Sequence, residues 1–416
     1  MYNKAKTILV NNKKIFENFS FLSLFQIFTL VSPLITYPYL IKVVGLELYG
    51  TVVFAQTVVS YLSLLINFGY NTLGPKEVSI LQNKPKELSE FVSSVFIVKA
   101  VLWLITFIFF MAIVFTFPFF QSYFLLYFFT FFITVGDVLF PIWFFQGIEK
   151  MKYITYVNIV VKILFIFGVF IFVKTKNDYL LIPIINTIGA LVSGMISIYL
   201  VFKKENVFFT RVKFVDMKKS FRESFVLFIS SISISIYLGL NKLIVGTFLG
   251  MRDVAIYDLA EKVISIVKTP ILMFSQALFP KIARDKSISF INKSMVATLI
   301  GVFVLYIFLF IFADKIVLFF IHNHNAQTVD IIRLYGLSMF FLGINMFLGG
   351  LRLIPFGYNK QYMYVMMANG IFYFFVISIL YLLNLITLYT ITFAYVFTEL
   401  FCTLYLTFIN KKLKLL

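Results

Sequence analysis

Charge is what this sequence has least of. Only 13% of its 416 residues are Asp, Glu, Lys or Arg, about half the share of a soluble domain, so most of the chain has no means of facing water. Cysteine is nearly absent, and Cys402 alone cannot form an internal disulfide. Histidine occurs twice, as His322 and His324 in "FIHNHN". An H-x-H pair without third and fourth ligands nearby reads as a solvated loop rather than a zinc site, so neither metal nor cofactor is expected. No G-x-x-x-x-G-K-[ST] loop is present, which excludes an internal ATP motor. Long polar connections are missing as well. The longest candidate on one side, 314–326, is too short to house a soluble catalytic domain.

What is there is apolar. Hydrophobic residues make up 61% and aromatics 20% of the chain, with mean hydropathy +0.97. Runs of about 20 apolar residues, the length of a membrane-crossing helix, recur from end to end. They are continuous rather than alternating, which argues against a transmembrane barrel. The expected fold is all-α and polytopic, with about twelve spans at 18–43, 49–73, 91–116, 122–146, 153–173, 179–202, 223–249, 254–279, 294–313, 327–354, 361–383 and 387–409. The first is too long for a signal-peptide core and lacks a small-residue cleavage site, so it reads as a retained span. Basic residues set the orientation. With the N-terminus inside, 24 Lys and Arg fall on cytoplasmic segments and four (Lys174, Lys176, Arg252 and Lys315) on the other side, which makes both termini cytoplasmic. The net charge of +18 is then topogenic and directed to lipid headgroups. Dispersed over short connections, it gives no reason to expect nucleic acid.

The longest internal polar connection, 203–222 ("KKENVFFTRVKFVDMKKSFR"), divides the chain into an N-terminal six-span lobe, 1–202, and a C-terminal one, 223–416. The lobes carry traces of a parallel repeat. Shifted by 205 residues, "GLELYGTVVFAQTVVS" (45–60) overlies "GMRDVAIYDLAEKVIS" (250–265), with Gly45 on Gly250, Ala55 on Ala260, Ser60 on Ser265, Pro75 on Pro280, and Gln56 opposite Glu261.

The eighth span is unusual. At about 100° per residue, Asp258, Glu261, Lys262, Ser265, Lys268 and Thr269 share one face, opposite Ile256, Leu259, Val263, Ile264, Ile266 and Val267. A charge at the bilayer centre costs about 2.5–3.5 kcal/mol, so the stripe must face water, substrate or countercharge. Asp258 and Lys262, at i and i+4, can pair with each other. Over all spans the intramembrane charges are eight cations (Lys42, Lys99, Lys162, Lys242, Lys262, Lys268, Arg333 and Arg352) against four anions (Asp137, Asp258, Glu261 and Glu399). Structural pairing alone predicts balance; a cation surplus points to a cavity that attracts an anion, although four of the cations lie near enough to span ends to snorkel. Pro33, Pro38, Pro141, Pro183 and Pro270 each remove a backbone hydrogen bond inside a span, and "FLGG" (347–350) adds a weak point in the tenth. Asp137, four residues before Pro141, is the candidate for reversible protonation or cation coupling. The alternative is a fixed ion pair with Lys99 or Lys162.

Three stretches then carry a resemblance: "LSLFQIFTLVSPLITYPYLIKVVGLELYGTVVFAQ", "NFGYNTLGPKEVS" and "IYDLAEKVISIVKTPILMFSQALFPKIA". The chain resembles the O-antigen and polysaccharide flippases of the Wzx type, in the multidrug/oligosaccharidyl-lipid/polysaccharide exporter superfamily. The resemblance implies two six-helix lobes in a V, with a cationic central cavity, that turn an undecaprenyl-diphosphate-linked oligosaccharide across the bacterial inner membrane by alternating access. By position it points to Lys42 in "YPYLIK", Lys242 in "LNKLIVG", and Glu261 with Lys262 in "AEK" as cavity residues. Lys99, Lys162, Asp258, Lys268 and Asp137 rest on the charge argument alone. Gln56, Asn67, Tyr70, Asn71, Tyr257 and Gln276 could meet sugars. The implied partners are that lipid-linked oligosaccharide, membrane lipids, a polysaccharide polymerase and a chain-length regulator. The two extra spans of lipid II flippases are missing, which argues against a peptidoglycan precursor. Two rivals stay open: a drug or cation antiporter of the same superfamily, whose cavity should be net acidic, and a membrane-embedded polymerase or glycosyltransferase, which should present a sizeable outer loop. The chain is expected not to be an enzyme.

Overall fold

The computed structural model describes residues 2–205 and 207–415, without the side chains of 2–19, 22, 226, 230–238, 277 and 280. Lys4, Lys6, Lys13 and Lys14 of the topology count and Pro280 of the repeat lie outside the described side chains. The described residues are helical almost throughout, with no strand among them. This is how a chain satisfies its backbone where water is absent. Eleven helical stretches among them are long and apolar enough to cross a membrane, and they coincide with eleven of the expected spans. The remaining one, 223–249, falls in the long helix Phe214–Phe248, part of which lies outside the described side chains.

Contacts divide the chain into two units, one of residues 1–45 and 55–232, the other of 46–54 and 233–416. The first contains α1 (Tyr2–Val44), most of α2 (Leu46–Asn67), α3 (Tyr70–Leu81) and α4 (Pro85–Thr116). A broken span follows as α5 (Pro118–Gln121), α6 (Phe124–Phe132), α7 (Val135–Leu139) and α8 (Ile142–Gly147), then α9 (Met151–Phe172) and α10 (Leu181–Tyr199). The second unit contains the later part of α11 (Phe214–Phe248), α12 (Met251–Asp285), α13 (Ile288–Ile321), α14 (Ala326–Gly336), α15 (Ser338–Asn345), α16 (Asn359–Leu382) and α17 (Leu388–Lys412).

Local chemistry explains the breaks that matter for function. Pro141 cannot donate to a helical ladder and crowds the residue before it. Phe140 accordingly turns extended (φ −103°, ψ 92°), and α7 stops there. Asp137 is left in a five-residue helical segment inside a span. The second span bends at Phe68 and Gly69, both left-handed, before α3 resumes. In the tenth span the "FLGG" region winds as a π-helix, Met346–Leu353, the wide form associated with functional bulges. Pro183 is the third residue of α10, in the first turn, whose N–H groups the helix's own ladder does not use. The repeat has a structural counterpart. Gly45 (φ 89°, ψ 158°) and Gly250 (φ 104°, ψ 173°) occupy the same position, directly before α2 and α12, in a conformation closed to other residues. The expected connection 203–222 is only partly a loop, because α11 already begins at Phe214.

Candidate functional site

Two polar sites form, one in each unit. In the first, α2, α3, α6, α7, α8 and α10 enclose a cavity of about 460 Å³ lined by Gln56, Ser60, Ser63, Asn67, Asn71, Thr130, Thr134, Asp137, Asn186 and Ser193 among its polar residues. Asp137 is the only charged one. The break at Pro141 and the serine–asparagine face of α2 create it together. Ser63 Oγ donates to Asp137 Oδ2, Asn67 Nδ2 donates to Asp137 Oδ1 at 2.9 Å, and Lys99 Nζ donates to Asn67 Oδ1 at 2.8 Å. Lys99 is buried in α4. A carboxylate and an ammonium are thus linked through one amide rather than in direct contact. The amide can serve both because it offers an acceptor at one end and donors at the other.

In the second unit, α11 and α12 bring four charges together. Lys242 Nζ lies 2.7 Å from Asp258 Oδ1 and 2.8 Å from Glu261 Oε2. Lys262 Nζ lies 2.9 Å from Asp258 Oδ2, and Tyr49 at the start of α2 hydrogen-bonds Lys262. Asp258 is 1% exposed. A buried carboxylate gripped by two lysines is held by short charge-assisted bonds that offset its lost hydration. Two ammonium and two carboxylate groups balance, so this cluster carries none of the cation surplus.

Nearly two turns further along α12, Lys268 reaches over the rings of Tyr335 and Tyr395, 5.2 and 5.5 Å to their centroids. The two rings stack at 4.9 Å. Such a cage holds a cation against the negative faces of the rings, and Glu399 supplies the principal countercharge. Glu399 itself accepts from Asn345 Nδ2 at 2.9 Å, and Asn345 Oδ1 accepts from Thr403 at 2.7 Å.

The expected residues therefore separate. Gln56, Asn71 and Asp137 line the cavity; Lys99 stands behind it through Asn67. Lys242, Asp258, Glu261 and Lys262 form the charge cluster. Tyr257 is buried, its ring edge-on to Tyr335 at 5.8 Å, which makes it packing for the cage rather than an open sugar contact. Lys42 is exposed on the last turn of α1, and half-buried Lys162 lies on α9 away from the cavity lining. Tyr70 is buried against Ser220, and Gln276 is exposed. The opposite face of α12 packs largely inside the protein. Ile256, Leu259 and Ile264 are buried within the protein. Ser63, Thr134, Asn186, Ser193 and Tyr49 carry no sequence signal that singles them out.

Comparison with known proteins gives this geometry a family. The family described as polysaccharide biosynthesis protein matches residues 15–286. The chain belongs to that family. A protein of Escherichia coli (strain K12) that carries the provisional name O-antigen transporter is 25% identical over 387 residues, 91% of this chain and 92% of its own. A Shigella dysenteriae protein of the same provisional name is 27% identical over 268 residues, 63% and 65% of the two chains. Among solved structures, the inward-facing conformation of a multidrug resistance MATE family transporter of the MOP superfamily matches with a TM-score of 0.69 at 14% identity. The match covers 92% of this chain and 95% of that one. At that identity the likeness establishes fold alone: this polysaccharide biosynthesis protein has the MATE-like, all-α membrane architecture.

Proposed function

We propose that this protein is a flippase that moves an undecaprenyl-diphosphate-linked oligosaccharide from the cytoplasmic to the periplasmic leaflet of the inner membrane by alternating access. Both termini are then cytoplasmic, and 1–202 and 223–416 are its two lobes. The observation that carries the reading is the nearly full-length match, 91% of one chain and 92% of the other, to a protein provisionally named an O-antigen transporter. The two sites supply compatible chemistry. Hydroxyl and amide groups around Gln56, Asn67 and Asn71 suit sugar hydroxyls. Lys242 and Lys262 suit a diphosphate. Because both lysines are already paired, the diphosphate has to compete with Asp258 and Glu261, so its arrival loosens the pairs that hold α11 to α12. That exchange couples binding to a change in helix contacts. Asp137, between two donors and facing a cavity, takes up a proton or a small cation when its partners shift.

A cation antiporter is the second reading, favoured by one observation: Asp137 makes the lining of the first-unit cavity net acidic. Complementation separates the two. In a strain lacking its polysaccharide flippase, the chain restores surface polysaccharide and clears the lipid-linked repeat units that accumulate inside. Restoration is lost in Lys242→Ala and Lys262→Ala at normal protein levels and partly regained with Arg. Failure of the unaltered chain to clear those units, with export of organic cations instead, rejects the flippase reading.

A further inference from the structure

Residues 207–222, which lead from the end of the sixth span into the first turns of α11, are fixed at both ends and present large apolar side chains outward. At one end Val207 is buried in the core beside Trp143 and Phe145. The backbone N–H groups of Phe208 and Thr210 donate to Ser89 Oγ and Ser93 Oγ at 3.1 and 3.0 Å, and Glu205 pairs with Lys150 at 2.6 Å. At the other end Ser220 Oγ donates to Tyr70 at 3.1 Å, and Phe221 stacks on Phe68 with centroids 4.3 Å apart. All these partners belong to the first unit. Between the anchors, Phe208 and Phe209 are each 63% exposed, and Phe214 and Val215 each 74%. That exceeds Ile105 and Ile108, at 57% and 61% on the outer face of α4. A flexible loop would fold such side chains back onto the protein. Here the serine bonds set the register, and apart from an edge contact of Phe209 with Phe202 the apolar groups are held outward.

Arg211, Lys213, Lys218, Lys219 and Arg222 lie among them, against Asp216 as the one acidic residue of 206–222. Ser89 and Ser93 stand in the first turns of the spanning helix α4 (Pro85–Thr116), so the segment runs at the level where a span leaves the hydrocarbon. Non-helical backbone is excluded from the acyl core but not from the headgroup layer. Apolar insertion together with a basic cluster is the two-signal arrangement by which a segment binds a lipid surface. We propose that residues 207–222 form an interfacial anchor: Phe208, Phe209, Phe214 and Val215 enter the boundary between headgroups and acyl chains, and the basic residues bind anionic phospholipid headgroups of the same leaflet. The chain thereby leaves its first unit through a clamp that is part protein and part membrane.

Depth measurement tests this on the full chain in nanodiscs. With Cys402→Ser as background, a nitroxide is placed at Val215→Cys. Reference labels are placed at Asn83→Cys in an exposed turn and Ile311→Cys on an exposed apolar helix face. Accessibilities to oxygen and to a water-soluble nickel chelate are compared in phosphatidylcholine and after addition of phosphatidylglycerol. The Val215 label is expected to show an oxygen-to-nickel ratio several-fold above that of Asn83, rising further with the anionic lipid. The rise should disappear when Lys218, Lys219 and Arg222 are changed to Gln. If the label cannot be introduced without loss of a monodisperse protein, Phe214→Trp with brominated lipid reads the same depth through quenching. A Val215 label as open to nickel as Asn83 in both lipids, or an unquenched Phe214→Trp, overturns the proposal and leaves the face to a protein partner.

Discussion

Changing Asp258 to Asn removes one carboxylate from between two lysines without altering its size. In the structure Asp258 is 1% exposed, and its two oxygens are shared between Lys242 at 2.7 Å and Lys262 at 2.9 Å. After the change Lys242 keeps Glu261, 2.8 Å away, while Lys262 keeps the Tyr49 hydroxyl and the field of Glu261. That ammonium loses the carboxylate 2.9 Å from it. Breaking a buried pair in this one-sided way costs about 3–5 kcal/mol. Since Lys262 is about one-third exposed and can bend toward water, the lower end applies, about 3 kcal/mol, or about 150-fold in the folding equilibrium at 1.4 kcal/mol per decade. The double variant Asp258→Asn with Lys262→Met removes both members and should regain most of that loss, a coupling of about 2–3 kcal/mol. Both tryptophans, Trp103 and Trp143, lie in the other unit, so helix content by circular dichroism during detergent unfolding in bicelles is the appropriate readout. An Asp258→Asn loss below about 1 kcal/mol, or a double variant no better than the single one, would refute the account of the cluster as a mutually compensating set.

Asp137→Asn keeps the Ser63 and Asn67 neighbours but turns one acceptor into a donor facing Asn67. A loss of about 1–3 kcal/mol is expected, with folded protein that no longer transports and no longer responds to a proton or sodium gradient; unchanged gradient dependence in an active variant removes Asp137 from the mechanism. Gly50→Ala places a methyl 1.7 Å from the carbonyl oxygen of Met251. Backbone cannot yield as a side chain does, so this should cost at least the 1–3 kcal/mol typical of overpacking, read as lower protein abundance and earlier thermal aggregation than Gly301→Ala, where nothing lies within 4 Å and the backbone is helical. For orientation, reporter fusions at Lys213 should give cytoplasmic signal and fusions at Asn325 periplasmic signal; the reverse pattern inverts the direction of transport.

The spans are legible because crossing a bilayer is a requirement on a single helix. Length and apolarity are properties of consecutive residues, and the eleven helices fall where the hydropathy places them. Pro141 is legible for the same reason, since its effect is local. The start of α11 is not. Residues 214–222 combine Phe214 and Val215 with three basic residues, a pattern that reads as a polar connection by charge, whereas the backbone is already helical. The first turns of α2 illustrate the nonlocal limit. Nothing in "LELYGTVVF" signals that Gly50 packs on the Met251 carbonyl and Phe54 on Gly246, which groups 46–54 with residues two hundred positions later.

The sites divide along the same line, and the division bears on mechanism. Asp258 with Lys262 is an i,i+4 pair visible in the sequence, and it forms at 2.9 Å. Lys242 joins from the preceding helix, and that contact converts a cation surplus on paper into a neutral cluster in space. Counting charges over all spans therefore overstates the positive character of this site. Outside it, Lys268 sits within its tyrosine cage with Glu399 as countercharge, and Arg352 is fully buried and hydrogen-bonded through Nη2 to Asn292, with Nε and Nη1 lacking hydrogen-bond partners among the described residues. In the first unit the serine and asparagine residues that turn Asp137 into a site are too common to stand out, and only the break at Pro141 hints at them. A protein that must pass a diphosphate through a low-dielectric slab cannot leave bare lysines there in its empty state, because each would carry its full desolvation cost. Internal carboxylates bear that cost until an anion replaces them. On the proposed function, the neutral cluster meets the requirement of a releasable anion site in a membrane, and the tightness of its pairs would set how strongly the diphosphate must bind to open it.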